Sequence, residues 1–370
     1  MVLVGALTQP APFCPNASGS GVVTFALDPN TGCLERLHHY RDVLNPSYLA
    51  WARGESRLYA AEADTEGPGR ILALDFKPDG TLSLASSQPL GGKVACHVSM
   101  LPSNSGICVS SYSNSCVDVF EMRNGRMIGP AQTLRYQGSG PNTARQAASH
   151  AHQALVDPAE RRLYVCDLGA DSIWIHELGD TLTVKHPSSV KVPTGYGPRH
   201  MVFHPNLPCA YLICELNGRV LTYGWNSTSG DLTLIRDLPG LPATWNGVPA
   251  GAAICVHPCG RALYASQRNH DSLAIYRLDA DGMPTLVQHL PSGGNEPRDF
   301  DFHPAGQWMI VANQSSNGLS VYELDPASGM PSGRPPQDVF EESPARVVCT
   351  DRQVKAGRPQ PGLAANWTCS

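Results

Sequence analysis

The sequence predicts an all-β fold, a seven-bladed β-propeller of four-stranded antiparallel blades. Three observations favour it: a turn-rich composition, a repeat of about fifty residues, and apolar residues that alternate with period two. The chain has 370 residues, with 35 Gly, 32 Pro and only 16% charged residues, which is typical of many short strands joined by turns. The same period-two pattern disfavours a helical solenoid, which needs amphipathic helices.

Short apolar runs that contain a tyrosine carry the repeat. The tyrosines at 164, 211 and 264 are separated by 47 and 53 residues. The clearest copies are Arg162-Leu163-Tyr164-Val165-Cys166, Ala210-Tyr211-Leu212-Ile213-Cys214 and Ala262-Leu263-Tyr264-Ala265-Ser266. Each copy follows a turn with Pro, Gly or Asn and precedes a second alternating run, as expected for one propeller blade.

Six copies are complete, and the two chain ends supply a seventh. The innermost strands of the six are predicted to open near Pro46, His97, His152, His200, Ala252 and Arg298. Arg346-Val347-Val348-Cys349 at one end complements Val2-Leu3-Val4 and Val22-Val23-Thr24-Phe25 at the other. We therefore predict one domain over residues 1–370, a ring closed by strands from both termini, with a loose tail at 356–370.

Charge and composition exclude several classes of protein. The formal net charge of -5 disfavours nucleic acid as a partner, because phosphate backbones are bound by basic surfaces. No run approaches the roughly 20 apolar residues of a membrane span, and Met1 to Leu7 lacks the basic flank of a signal peptide. We expect a cytoplasmic monomer or weak homo-oligomer, and the 12 cysteines, which include no C-x-x-C pair, are expected to be reduced.

Strand geometry predicts that polar residues from different repeats meet at one face of the ring. The innermost strand of a blade crosses from one face to the other and the second strand returns. Residues before the first strand and after the second therefore emerge together beside the axis. These residues are His97, His150, His152, Arg199, His200 and Arg298 before first strands, and Glu62, Tyr112, Glu215 and Arg268 after second strands. Convergent polar groups in a concavity are the default prediction for a binding site.

Two structural interpretations stand beside this one. Arg199, Arg268 and Arg298 also suit salt bridges between blades. The histidines of the His-Pro turns lie on the opposite face and are expected to have structural roles; they are His204, His257 and His303.

A metal site is a further alternative. His150 and His152 share one strand face, and His97 or His200 would supply a third ligand. We expect no metal and no cofactor.

Seven short motifs follow one another along the chain. They are Asn45-Pro46-Ser47-Tyr48-Leu49-Ala50, Cys96-His97-Val98-Ser99, His150-Ala151-His152, Gly197-Pro198-Arg199-His200, Glu215-Leu216-Asn217, Ser266-Gln267-Arg268-Asn269-His270 and Pro297-Arg298-Asp299-Phe300. Their order, over nearly the whole chain, resembles that in the family of seven-bladed propellers that includes bacterial 6-phosphogluconolactonases and fungal carboxymuconate cyclases. The Pro-rich segment from Thr8 to Ser20 is longer than the family leads us to expect.

The resemblance implies a metal-independent enzyme that opens or closes the ring of an anionic lactone. In the cyclase branch the matching site residues are His152, Arg199, Glu215 and Arg268, and the first expectation is hydrolysis of a small anionic sugar or organic-acid lactone. His152, with a pKa near 6.5, is expected to be the general base, and the arginines to bind the anion. A lactonizing cycloisomerase, a biosynthetic lactone enzyme and a non-enzymatic scaffold remain as alternatives.

Overall fold

The computed structural model describes residues 1–352 except 53, 124, 180, 181 and 183. The chain begins with three strands of the blade that it later closes: β1 (Val2–Ala6), β2 (Gly21–Leu27) and β3 (Leu34–Tyr40). Blades 1 to 3 follow as β4 (Pro46–Trp51), β5 (Arg57–Glu62), β6 (Arg70–Phe76), β7 (Leu82–Pro89), β8 (Ala95–Met100), β9 (Gly106–Ser111), β10 (Cys116–Arg123), β11 (Arg126–Arg135), β12 (Ala151–Val156), β13 (Arg162–Asp167), β14 (Ser172–Leu178) and β15 (Val184–Lys191).

Blades 4 to 6 repeat this arrangement, and two short 3₁₀ helices follow second strands. The elements are β16 (Pro198–Phe203), β17 (Cys209–Cys214), β18 (Val220–Trp225), β19 (Leu232–Leu238), β20 (Gly251–Val256), β21 (Ala262–Gln267), η1 (Arg268–His270), β22 (Ser272–Leu278), β23 (Pro284–Pro291), β24 (Pro297–Phe302), β25 (Trp308–Asn313), η2 (Gln314–Ser316), β26 (Gly318–Glu323) and β27 (Gln337–Phe340). The last strand, β28 (Pro344–Cys349), is the innermost strand of blade 7.

The seven-bladed prediction is confirmed, including the closure of the ring by both termini. Seven four-stranded antiparallel sheets are present, and the closing sheet has the order β28-β1-β2-β3. Val4 of β1 pairs with Val347 of β28 on one side and with Val23 of β2 on the other. The predicted tail at 356–370 lies outside the described residues.

Apolar side chains from neighbouring blades form the core between the sheets. One cluster joins Ile173 of blade 3 to Met201 and Leu212 of blade 4, and another joins blade 7 to blade 6 through Val347 and Ile310. Period-two alternation explains this packing, because each strand contributes alternate side chains to each face of its sheet.

In blades 3, 4 and 5 the repeated tyrosine fastens its blade to the next. The hydroxyl of Tyr164 donates a hydrogen bond to the carbonyl oxygen of Gly230 at 2.8 Å, and Tyr211 bonds Gly282 at 2.6 Å. Both glycines have positive φ in turns of the following blade, a conformation that other residues adopt at a cost. The tyrosine repeat in the sequence is therefore a record of contacts between blades.

The His-Pro turns have a similar role on the opposite face. Nε2 of His204 lies 2.9 Å from the carbonyl oxygen of Gly260, and Nε2 of His257 lies 2.8 Å from that of Gly306. Each contact links the first turn of one blade to the first turn of the next, so these two histidines have the structural role that the sequence indicates.

Candidate active site

A β-bulge at the start of each innermost strand turns one side chain per blade towards the mouth of the central channel. In every blade the pairing of the two inner strands shifts register there. One residue of the innermost strand is left out of the ladder in six blades, and two, Ala252 and Ala253, are left out in blade 5. The equivalent positions at the start of the bulge are Ser47, Cys96, His152, Arg199, Ala252, Arg298 and Ala345. Bulges commonly redirect a side chain beside an active site, and here they form a ring of seven positions, hereafter the bulge ring.

Glu215 lies at the centre of the polar cluster beside this ring. It follows β17 directly, is only 4% exposed, and its Oε2 lies 3.1 Å from Nε of Arg199 and 3.0 Å from Nη2 of Arg268. Nε2 of His152 lies 3.9 Å from the same oxygen. The structure thus brings together the four residues that the sequence and the resemblance single out, from blades 3, 4 and 5.

Arg145 is a fifth member of the cluster, and the sequence analysis missed it. It lies in the long loop of residues 136–150 between β11 and β12, and its Nη2 donates to Oε1 of Glu215. The same nitrogen is 3.4 Å from the hydroxyl of Tyr112. This loop lies outside the strand repeat, so strand geometry carried no signal for it.

Two of the predicted binding residues, His97 and His200, pack beside the predicted catalytic residue His152. The ring centroid of His200 lies 5.1 Å from that of His152 and 5.3 Å from that of His97. All three imidazoles are buried, and they form a layer next to the Glu215 cluster. Arg199 of that cluster also donates to the carbonyl oxygen of Ala252 at 2.7 Å.

His150 and Tyr112 form one wall of the mouth. Their rings are stacked, with centroids 4.2 Å apart and an interplanar angle of 1°. Nδ1 of His150 contacts the carbonyl oxygen of Tyr112 at 3.0 Å, and Tyr112 also contacts His152 edge-on. Both predicted binding residues thus lie beside the cluster, and Tyr112 contacts members of the cluster rather than Glu215 itself.

The structure does not bring Glu62 into the cluster. In the strand register Glu62 pairs with Pro46, whereas it is Cys214, the residue before Glu215, that pairs with the equivalent Pro198. This difference of one position reverses the direction of the side chain. Glu62 instead accepts hydrogen bonds from Arg70 on β6, one of them at 2.7 Å, and fastens blade 1 internally.

Arg298 lies at the mouth but differs from the other arginines there. It occupies the bulge-ring position of blade 6. Among the described residues its guanidinium has no hydrogen bond or ion pair, and it lies over the ring of Phe13, whose centroid is 5.6 Å from Cζ. Phe13 belongs to the Pro-rich segment after β1. A small pocket joins Arg298 to Arg199 and to the neutral bulge positions; its lining is Ser47, Tyr48, Cys96, Arg199, His200, Arg298, Asp299 and Ala345.

Burial and charge set the protonation states in the cluster. Burial favours the neutral form of Glu215, but Arg268, Arg199, His152 and Arg145 outweigh it and hold the pKa of this carboxyl well below its usual range. Burial, reinforced by Arg268 and partly offset by Glu215, lowers the pKa of Arg199 to about 9. At neutral pH the cluster is therefore a carboxylate surrounded by guanidinium groups.

The expected pKa of His152 near 6.5 is wrong. Burial, and after it the charge of Arg199, lowers the pKa of His152 well below that value, and Glu215 only partly opposes the shift. Burial likewise lowers the pKa of His97 and of His200. All three imidazoles are thus neutral near pH 7.

The described residues contain no group of three or more His, Cys, Asp or Glu side chains arranged to hold a metal ion. Every cysteine between Met1 and Arg352 is a free thiol, as the sequence predicts. Cys96 reaches the bulge ring, but burial raises the pKa of its thiol to about 12, so it is no thiolate nucleophile at neutral pH.

The arrangement can bind an anion and move a proton. Three arginines contact one carboxylate, which leaves an excess of positive charge in a largely buried mouth. His152 supplies a neutral imidazole whose Nε2 faces Glu215, and its Nδ1 has no hydrogen-bond partner within the described part of the chain. These features define an enzyme-like propeller with a cationic mouth at its axis.

Comparison with known proteins identifies the family. The chain belongs to the family described as "Lactonase, 7-bladed beta-propeller", which it matches over residues 1–347. It is 30% identical to a 6-phosphogluconolactonase of Bacillus subtilis over 84% of this chain and 88% of that protein. It is 32% identical to the 6-phosphogluconolactonase of Serratia proteamaculans over 70% of this chain and 76% of that protein.

Solved structures agree with this assignment. A periplasmic gluconolactonase of Pseudomonas aeruginosa superimposes with a TM-score of 0.86 at 27% identity, covering 94% of this chain and 98% of that one. A protein from Lactobacillus plantarum gives a TM-score of 0.85 at 26% identity over 94% and 98% of the two chains. No helix among the described residues is long and apolar enough to span a membrane.

Proposed function

We propose that the protein is a metal-independent lactonase that hydrolyses a small anionic sugar or organic-acid lactone, with His152, Arg199, Glu215 and Arg268 as its catalytic group. One observation carries the proposal: a buried carboxylate holds two arginines and faces a neutral histidine, within a mouth of excess positive charge. The named 6-phosphogluconolactonase and gluconolactonase relatives support this class of substrate. The cytoplasmic location stays a prediction, since one similar structure is named periplasmic.

His152 is the general base in this mechanism. With Nε2 protonated and facing Glu215, the lone pair of the buried Nδ1, which has no hydrogen-bond partner within the described residues, accepts a proton from a water that enters with the substrate. The hydroxide so formed attacks the lactone carbonyl carbon, and the imidazolium is stabilised by the Glu215 carboxylate 3.9 Å away. Glu215 itself is a poor base, because its arginine neighbours hold its pKa so low.

Arg268 stabilises the oxyanion of the tetrahedral intermediate. Its side chain is 13% exposed, compared with 4% for Arg199, so it is the more accessible donor. Arg199 lies deeper and fixes Glu215. When the ring C–O bond breaks, His152 returns its proton to the leaving alkoxide, which becomes the hydroxyl group of an open-chain hydroxy acid.

Hydrolysis assays with purified protein test this function. We expect the protein to accelerate the opening of 6-phosphogluconolactone or gluconolactone above the spontaneous rate, measured by acid release. The variant His152→Gln should lose about 100-fold in kcat/KM, since a general base contributes at least this much. His39→Gln, an exposed histidine on β3, is the matched control and should keep full activity.

Three results would contradict the proposal. If the protein accelerates the hydrolysis of neither lactone, the proposed hydrolase activity is wrong. Conversion of carboxymuconate alone, followed by absorbance, would favour the cycloisomerase instead. Equal activity of the His152 variant and the wild type would show that the chemistry lies elsewhere.

A further inference from the structure

The arginines in and around the channel mouth divide into two groups by their partners. Arg145, Arg199 and Arg268 each contact the carboxylate of Glu215, and Arg346 binds Asp299. Arg298 alone among these five lacks a carboxylate or hydrogen-bond partner in the part of the chain that the structure describes.

An unpaired guanidinium in a half-buried position is costly to maintain. Arg298 lies in blade 6 beside Arg268 of blade 5, and Glu215 is already shared by three other arginines. Five donors in a fixed fork suit a carboxylate or a phosphate group. The position therefore has the charge and the donors of an anion subsite whose occupant comes from outside the chain.

The surroundings of Arg298 define the shape of this subsite. The small pocket that it shares with Arg199 is bounded by the bulge residues Ser47, Cys96 and Ala345, which all carry short side chains. The ring of Phe13 contacts the guanidinium as well. The subsite thus lies between Arg199 of the Glu215 cluster and the short side chains of blades 1, 2 and 7.

The Pro-rich segment is held firmly enough to act as a wall. Nε2 of Gln314 donates to the carbonyl oxygen of Phe13 at 3.1 Å, and a bridge pairs Ala11 with Cys14. The backbone nitrogens of Thr8 and Gln9 both donate to Oδ1 of Asn45, at 2.8 and 2.9 Å. This longer segment gives Arg298 an apolar neighbour and closes one edge of the mouth.

We propose that Arg298, walled by Phe13, is a specificity subsite for an anionic group, phosphate or carboxylate, remote from the carbonyl that is attacked. The proposal rests on the proposed function for the position of that carbonyl at the Glu215 cluster. It separates reaction from recognition: Arg268 and His152 act on the ring, and Arg298 selects lactones with a charged arm.

Binding of open-chain products tests the subsite independently of turnover. Isothermal titration of gluconate, 6-phosphogluconate and glucarate compares a neutral arm with a phosphate and a carboxylate arm. We expect the wild type to bind at least one charged-arm acid about 100-fold more tightly than gluconate, as for a desolvated charge pair. Arg298→Gln should remove that preference and leave gluconate binding within about 3-fold, since a neutral arm makes no charge pair.

Controls keep this test independent of folding and of catalysis. Arg277→Gln, an exposed arginine on β22, should behave as the wild type, and Phe13→Leu should keep the preference with a smaller margin. A wild type that binds the three acids equally would overturn the proposal, as would an Arg298 variant that weakens all three alike. Retained binding preference without hydrolysis would instead contradict the proposed function and leave the subsite standing.

Discussion

Two buried carboxylates near the axis show how the same pair of residue types serves different ends. Among the described residues Asp299 has one ionic partner, Arg346, through contacts of 3.0 and 2.8 Å, and it also accepts a hydrogen bond from the backbone nitrogen of Val347. Arg346 is in turn covered by the ring of Tyr48, 4.2 Å away. Charges in this pair balance, and the partners come from two innermost strands that lie side by side, β24 and β28.

The Glu215 centre is unbalanced by comparison. It gathers arginines from a loop, an inner strand and a 3₁₀ helix around one carboxylate. A balanced buried pair closes the ring between blades 6 and 7, whereas an excess of buried positive charge has no structural use and favours an anionic substrate. The Asp299–Arg346 pair therefore fits the interpretation as a salt bridge between blades, whereas the Glu215 cluster fits a catalytic interpretation.

The substitution Arg268→Ala gives the strongest test of this difference between the two carboxylates. If Arg268 stabilises an oxyanion, kcat/KM should fall by about 1,000-fold, the size of effect seen when one such donor is lost. The melting temperature should barely move, because Glu215 keeps Arg145 and Arg199. Steady-state kinetics and thermal unfolding on one preparation measure both quantities, and equal loss of activity and stability would restore the salt bridge interpretation.

The opposite result is expected for Arg346→Gln. Removing one partner of a buried pair leaves the other uncompensated and should cost about 3 kcal/mol of unfolding free energy. Activity per folded molecule should fall far less than for Arg268→Ala. The double variant with Asp299→Asn should recover part of the lost stability in thermal or denaturant unfolding; a double variant as unstable as the single one would show that the ion pair is not the cause.

The smallest effect concerns pH. Because the pKa of His152 is lowered well below 6.5, the active neutral imidazole is fully present from pH 8 down to pH 6.5, and activity is lost only as the pH falls through that lower pKa. We therefore expect kcat/KM, corrected for spontaneous hydrolysis, to change by less than about 2-fold across this range. With an unperturbed histidine as the base, the enzyme would lose about half its activity by pH 6.5. Such a decline would contradict the lowered pKa of His152.

The sequence predicted the fold and the meeting of His152, Arg199, Glu215 and Arg268, because a repeat of fixed strand order determines which residues emerge at each face. It failed where the answer depended on something other than that order. Arg145 lies in a loop outside the repeat. The pKa of His152 depends on burial among arginines from other blades, which no local pattern records.

The bulges were also invisible in the sequence, because no residue type marks them. The misassignment of Glu62 has a different cause, which lies at the end of the second strand. Glu62 follows the same kind of apolar run as Glu215 but ends its strand one position earlier, so its side chain turns to Arg70.

The bulge ring separates what holds the propeller together from what it acts upon. Since the residue at each bulge takes no part in the ladder, replacing it leaves the backbone pairs on either side in place. The cost of a replacement is then set by the contacts of the side chain, which tie Arg199 to Glu215 and to the carbonyl oxygen of Ala252 in the next blade. The short side chains of Ala252 and Ala345 have no such bonds, so these are the positions at which an evolving propeller can change the mouth at least cost to its scaffold.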